Sequence, residues 1–196
     1  MKFEIIEKLV PYNGFFKMEK YRLKHELFAG GEGAEIVREL LQRGDAAAVL
    51  PYDPQMDAVV LVEQFRIGAI NDSNGPWIIE TIAGMAEPNE SPEELVVREA
   101  IEEADCKVSD LTAICEYYCS PGGCSEKIHL FCGRTDASQL GGIHGCPDEG
   151  EDIKVHVVPF NELQKRLFNG ELKTAMTLIA VQWLVMNRDK LRNCWR

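Results

Sequence analysis

The side chains best suited to chemistry are four charged residues, Arg98, Glu99, Glu102 and Glu103, in the segment GMAEPNESPEELVVREAIEEADC at positions 84–106. The segment fits glycine, five residues, glutamate, seven residues, then Arg-Glu-apolar-any-Glu-Glu. Six fixed positions of this kind arise by chance in a chain of this length on the order of one time in 10⁵. Carboxylates set this close together repel one another. Glu102 and Glu103 also stand near the C-terminal end of any helix that carries them, where the macrodipole disfavours negative charge. A cation relieves both penalties. Hard oxygen donors favour Mg²⁺, with Mn²⁺ as a substitute, and Mg²⁺ commonly binds through a few carboxylates together with substrate phosphates. Arg98 is suited to orienting a neighbouring glutamate without being a ligand.

The element that must position these groups is a helix. Ser91, Pro92 and Glu94 form a start signal: an N-cap hydroxyl, proline at the first helical position and the N3 glutamate of a capping box. The helix is predicted over 92–104. At about 100° per residue, Glu99, Glu102 and Glu103 share one arc, and Val97, Ala100, Ile101 and Ala104 are expected to face the core.

The chain has 196 residues, 45% of them hydrophobic, enough for a full core in one domain or one domain with a small appendage. Its net charge of −11 and pI near 4.9 argue against non-specific nucleic-acid or anionic-membrane binding. An anionic substrate must then be met by a local basic site and a metal. The start, MKFEIIEKLV, is neither a basic-plus-apolar signal nor a spanning segment, so a cytoplasmic protein is expected. The seven cysteines include no C-x-x-C pair, and buried thiols are expected. The four histidines form no ligand motif, and no catalytic histidine is predicted.

Alternation over 20–27, with Tyr21, Leu23 and Leu27 on one side, predicts a half-buried strand; with Phe3 to Leu9 and the Asn13-Gly14 turn it makes a small antiparallel sheet. Further strands are predicted at 34–42, 45–51 and 57–64, then near 111–119, 127–134 and 153–158. Helices are predicted near 160–168 and 174–190. Mixed strands around one central helix, followed by two more helices, suggest an α/β/α sandwich.

The 84–106 segment resembles the Nudix box, the signature of hydrolases acting on nucleoside diphosphates linked to another group. Asp105 stands where that family usually has glycine, at a helix end where a left-handed residue is common and aspartate costs on the order of 1 kcal/mol. The resemblance independently implies the α/β/α fold with a mixed sheet. Outside the box, Ser120-Pro121-Gly122-Gly123, Gly14-Phe15-Phe16, Arg38-Glu39, Arg43-Gly44, Glu63-Gln64-Phe65-Arg66-Ile67 and Asp148 to Ile153 are similar to the bacterial ADP-ribose pyrophosphatase branch. That branch implies an N-terminal β region at 1–44 exchanged between the subunits of a homodimer, and a catalytic domain at 45–196.

Carried over position by position, the resemblance implies metal binding by the Ala83 carbonyl and by Glu99, Glu103 and Glu151, with Glu102 assisting through water. Glu149 matches the catalytic base. Arg38, Glu39, Arg43, Arg66, Met85, Ser120 and Glu126 match substrate-contacting positions, and Phe15 and Phe16 match residues that the partner subunit presents to the adenosine end. The expected reaction is Mg²⁺-dependent hydrolysis of ADP-ribose to AMP and ribose 5-phosphate. Two alternatives stay open at this point: preference for another nucleoside diphosphate sugar such as GDP-mannose, or a non-catalytic Nudix-like nucleotide sensor. The intact box carboxylates and the lack of a basic DNA-binding module argue against the sensor.

Overall fold

A computed structural model describes every residue except Pro147, Glu149 and Arg196. The chain divides into two compact units. One comprises Met1–Asp45 with Tyr117–Lys127, and the other Ala46–Glu116 with Ile128–Arg196.

The first unit is built on three antiparallel strands in the order β1 (Phe3–Asn13), β2 (Lys17–His25), β3 (Ile36–Gln42). The strand expected over 20–27 forms as far as His25, with Tyr21 opposite Lys8 on one side and Arg38 on the other, whereas Leu27, expected on its covered side, lies beyond its end and is 45% exposed. Pairing of β1 with β2 is interrupted twice, between Ile5 and Glu7 and between Leu9 and Tyr12, which twists the ribbon. The 117–127 hairpin joins this unit through backbone bonds from Leu41 N–H to the Gly123 carbonyl and from Ser125 N–H to the Leu41 carbonyl. Every residue of β1 is exposed, Phe3, Leu9 and Tyr12 included.

The second unit carries a mixed sheet ordered β10 (Gly142–His144), β11 (Ile153–Pro159), β5 (Ala58–Phe65), β4 (Ala46–Asp53), β9 (Lys127–Arg134), β8 (Ser109–Tyr118). Two short strands, β6 (Trp77–Glu80) and β7 (Ile82–Met85), pair with β5 and β4 respectively. Strands β4 and β9 run parallel, while β5 pairs antiparallel with both β4 and β11. All of β4 is buried, so the strand is covered on both faces. On one face Ala47, Val49, Val60, Val62, Phe131 and Ile153 close a core with Leu95, Val96, Ala100 and Ala104 of α1 (Pro92–Ala104). Helix α3 (Ala175–Cys194) also packs on β4, through a stripe containing Thr177, Ala180, Val181 and Leu184, and α2 (Phe160–Phe168) packs on β11 and β5. This is the mixed α/β sandwich expected from the sequence. Among the described residues no helix is long and apolar enough to cross a membrane.

Helix α1 begins as its sequence dictates. Ser91 Oγ accepts from Glu94 N–H at 3.3 Å, and the Glu94 carboxylate accepts from Ser91 N–H at 2.9 Å, closing the capping box. Its end is left-handed at Asp105 (φ 47°, ψ 31°), whose N–H reaches the Ile101 carbonyl while Cys106 N–H reaches that of Ala100. Two expectations fail here. Val97 and Ile101, assigned to the core face, are 40% and 41% exposed, and Glu103, assigned to the carboxylate face, is 3% exposed. The buried arc is rotated, running through Leu95, Val96, Ala100, Glu103 and Ala104. The seven thiols are all free, and Cys106 and Cys132 are buried as expected; Cys115, Cys119 and Cys194 are exposed, so burial does not account for them.

Candidate active site

Within the second unit, β7 and α1 bring together the groups that the sequence singled out. Ala83 is registered against Ala48 of β4, in the middle of the covered sheet, and its N–H donates to Glu103 Oε2 at 3.3 Å. Glu103 Oε1 accepts from Gln64 Nε2 at 3.2 Å. Burial, reinforced by the charge of Glu99, pushes the Glu103 carboxyl up to about 8, against the opposing influence of the Ala83 N–H, Arg66 and Gln64. Burial also raises Glu99, and the charges of Glu102 and Glu151 add to it, with Arg98 opposing. Glu99 lies flat against Gly84, where an added Cβ would fall 1.8 Å from Glu99 Oε1. Glycine at 84 is what allows the carboxylate to lie beside the Ala83–Gly84 backbone.

Arg98 braces this group. Its Nε and Nη2 grip both oxygens of Glu90 at 2.8 and 3.0 Å, and Nη1 donates to Glu99 at 2.9 Å and to Glu102 at 2.8 Å. Glu90 was a fixed position of the spacing but had been given no role. It anchors the arginine that orients two of the box glutamates, and the pairing holds the guanidinium firmly protonated. Glu151, on the approach to β11, accepts from Cys146 N–H at 3.1 Å.

Glu99, Glu103 and Glu151 are electrostatically coupled but are not drawn into a ready-made ligand set. Among the described residues no three His, Cys, Asp or Glu side chains converge to hold a metal. The reason is visible in their partners: Glu99 is turned to Arg98, Glu103 to Ala83 and Gln64, and Glu151 to Cys146. The donor chemistry nonetheless suits a hard divalent cation. Two acids whose ionised forms burial and mutual repulsion disfavour, beside a glycine that admits a carboxylate to the backbone, gain most from a nearby positive charge.

The model of the NUDIX domain matches residues 42–178. This chain belongs to the Nudix family. Among its curated Nudix-type relatives, the ADP-ribose pyrophosphatase of Haemophilus influenzae is 44% identical over 98% of this chain and 90% of its own length. The ADP-ribose pyrophosphatase of Escherichia coli is also 44% identical, over 98% and 92%. A GDP-mannose pyrophosphatase of Escherichia coli is 34% identical over 80% of this chain and 82% of its own. A crystal structure described as an ADP compounds hydrolase superimposes with a TM-score of 0.71 over 99% of this chain and 96% of the other, at 19% identity, a likeness of fold. As a Nudix hydrolase the protein is an enzyme whose family works with divalent metal.

The remaining Nudix site candidates fall into two groups. In the second unit, Arg66 lies just past β5 and donates from Nε to the buried Glu80 at 2.5 Å, and Met85, 37% exposed, ends β7. In the first unit, the 117–127 hairpin and β3 assemble a cluster. Arg43 lies 5.2 Å from the centre of the Phe16 ring, and its Nε stands 3.0 Å from the buried Glu126 carboxylate, in a geometry that makes it an ion pair and not an aligned hydrogen bond. Arg43 N–H donates to Ser125 Oγ, and the carbonyl of Ser120 accepts from Gly123 and Cys124 in a tight turn. Phe15 stacks edge-on against Phe16 at 4.8 Å and is 86% exposed. Arg38 and Glu39 are exposed on β3, with Arg38 Nη1 donating to the Val37 carbonyl and not to this cluster. Glu149 lies outside the described residues. Sequence reasoning missed Glu80, whose signal was a lone acid in the apolar run WIIETI.

Proposed function

We propose that this protein hydrolyses the pyrophosphate bond of ADP-ribose, adding water to give AMP and ribose 5-phosphate, with Mg²⁺ as its working metal and Mn²⁺ as a substitute. The observation that carries the reading is identity of 44% to ADP-ribose pyrophosphatases over almost the whole of both chains, against 34% over a shorter span for the GDP-mannose enzyme.

The metal-holding residues are Glu99, Glu103, Glu151 and the carbonyl of Ala83, with Glu102 acting through water. When bound, the cation supplies positive charge against the pyrophosphate and acidifies water. The other work falls to this chain. Arg98 holds Glu99 and Glu102 in place from its anchor on Glu90. Arg66 and Arg43 offer guanidinium groups to phosphate, and Phe15 and Phe16 offer aromatic faces to adenine. Arg38, Glu39, Met85, Ser120 and Glu126 complete the substrate contacts. Glu149, matched to the family's base, accepts the proton of the attacking water.

The working form is a homodimer that exchanges residues 1–44, the dimerisation region, beside a hydrolase domain at 45–196. The uncovered apolar side chains of β1, with Phe15 and Phe28 beyond it, support an interface with a second copy. Free thiols on exposed Cys115, Cys119 and Cys194 fit a reducing compartment, the cytoplasm.

The test is incubation with ADP-ribose and Mg²⁺, with and without chelator, and chromatography of the products beside GDP-mannose, NADH and diadenosine compounds. Chelator-sensitive AMP and ribose 5-phosphate, formed fastest from ADP-ribose, are expected. Faster cleavage of another compound moves the substrate assignment, and binding without cleavage of any would point to a sensor. In the same assay Glu149→Gln should lower kcat by about 100-fold or more with little change in KM; undiminished turnover would place the base elsewhere.

A further inference from the structure

Glu80 is an acid in a core position. Strand β6 alternates, with Trp77 exposed, Ile78 buried and Glu80 only 1% exposed. Residues 77–79 and 82 are all apolar, and a leucine at 80 would suit the burial. A carboxylate is instead taken out of water here, which is costly unless it is paired. Its partner is Arg66, Nε to Oε1 at 2.5 Å.

The two ends of this pair differ. Glu80 is sealed in the sheet, with its carboxyl raised by burial, whereas the Arg66 side chain is 40% exposed. The backbone fixes the base of the arginine: Phe65 is registered opposite Trp77, Val62 opposite Glu80, and Arg66 N–H donates to the Pro76 carbonyl. Gripped at Nε, the guanidinium makes no hydrogen bond through Nη1 or Nη2 among the described residues. Those terminal nitrogens present a two-pronged donor whose plane is set from behind, which is the geometry for bidentate phosphate or carboxylate recognition. Arg66 also acts electrostatically on Glu103, so its charge lies within range of the box carboxylates. A buried ion pair is a poor way to gain stability compared with an apolar pair of like volume. Its value lies in fixing direction.

We infer that Glu80 is a positioning residue, which holds Arg66 by Nε so that the terminal guanidinium nitrogens meet an oxyanion of the nucleoside diphosphate substrate. This rests on the assignment of Arg66 as a substrate contact.

A double-mutant cycle in steady-state kinetics tests it. The cycle uses whichever of ADP-ribose and GDP-mannose the wild type cleaves faster, so a wrong substrate shows in the wild type and a wrong pairing only in the cycle. Glu80→Gln keeps an acceptor but loses the charge, and should raise KM about tenfold with kcat changed less than about twofold. Arg66→Ala should raise KM at least as much. The double variant should match Arg66→Ala within about twofold, because Glu80 acts only through Arg66. An unchanged KM in Glu80→Gln, a loss confined to kcat, or multiplicative effects in the double variant would overturn the inference. Should Glu80→Gln fail to fold, Glu80→Asp, whose shorter arm misses Nε, carries the same expectations.

Discussion

Replacing Asp105 by glycine should make the protein more stable. Asp105 ends α1 in the left-handed region, at φ 47° and ψ 31°, where a Cβ crowds the following carbonyl. The cost for a non-glycine residue is about 1–2 kcal/mol, nearer the lower figure for aspartate, and glycine's greater freedom in the unfolded chain returns about 0.5 kcal/mol of the gain. The carboxylate also stands at the negative end of the helix, worth a further ~0.3–1 kcal/mol. The net gain is therefore about 0.8–1.5 kcal/mol, or a rise in Tm of roughly 2–6 °C for a chain of this size. Two companions separate the contributions. Asp105→Asn removes the charge but tolerates the left-handed backbone, so it should gain about 1–3 °C. Asp105→Ala removes the charge but keeps an intolerant Cβ, and should melt at or below the wild type. Thermal unfolding followed by circular dichroism, in buffer with chelator and again with Mg²⁺, gives the order. A glycine variant that melts at or below the wild type would refute the claim that this helix end is strained.

Glu103 should set the pH response of the metal-free protein. Its folded value is raised to about 8 from an ordinary 4.5, so the stability it allows is complete below about pH 4.5 and is lost as pH rises toward 8. With chelator, the wild-type Tm should fall across that window, whereas Glu103→Gln should show a shallower fall, melt higher at pH 8 and lose metal-dependent turnover; parallel profiles would argue against an ionisable Glu103. Asp57 has the opposite sign. Arg188 above all, with Tyr52, holds its carboxyl below the ordinary range, so its contribution is present at neutral pH and is lost as the folded protein is acidified through that lowered value. Asp57→Asn should cost about 1–3 kcal/mol at pH 7 and flatten the acid limb of a pH-melting curve; unchanged acid sensitivity would exclude the cluster as its cause.

What the sequence disclosed well was local or periodic. The capping box needs only Ser91 and Glu94 and formed as expected. The strands near 111–119 and 127–134 are long enough to carry a pattern and appear as Ser109–Tyr118 and Lys127–Arg134. Strands β6, β7 and β10 were missed because four residues or fewer, without clear alternation, leave too little signal. The rotation of α1 was misjudged for a different reason. Angular spacing tells which side chains share a direction, but which direction is covered depends on β7 and β4. Glu103 sits inward because Ala83 N–H and Gln64, distant in sequence, receive it there. The same limit hid Glu80: its acid was visible in an apolar run, but its partner appears only when β5 and β6 are set in register.

The 117–127 hairpin makes the first unit discontinuous in the chain. Residues 1–45 cannot be lifted out at one boundary as an independent module, since Leu41 exchanges backbone hydrogen bonds with Gly123 and Ser125, and Arg43 is paired with Glu126. Genetic removal of residues 1–45 would strip that hairpin of its bonding partners and leave Glu126 without Arg43. A chimaera between relatives that swaps only the N-terminal part must therefore match two separated stretches of sequence at once, 1–45 and 117–127.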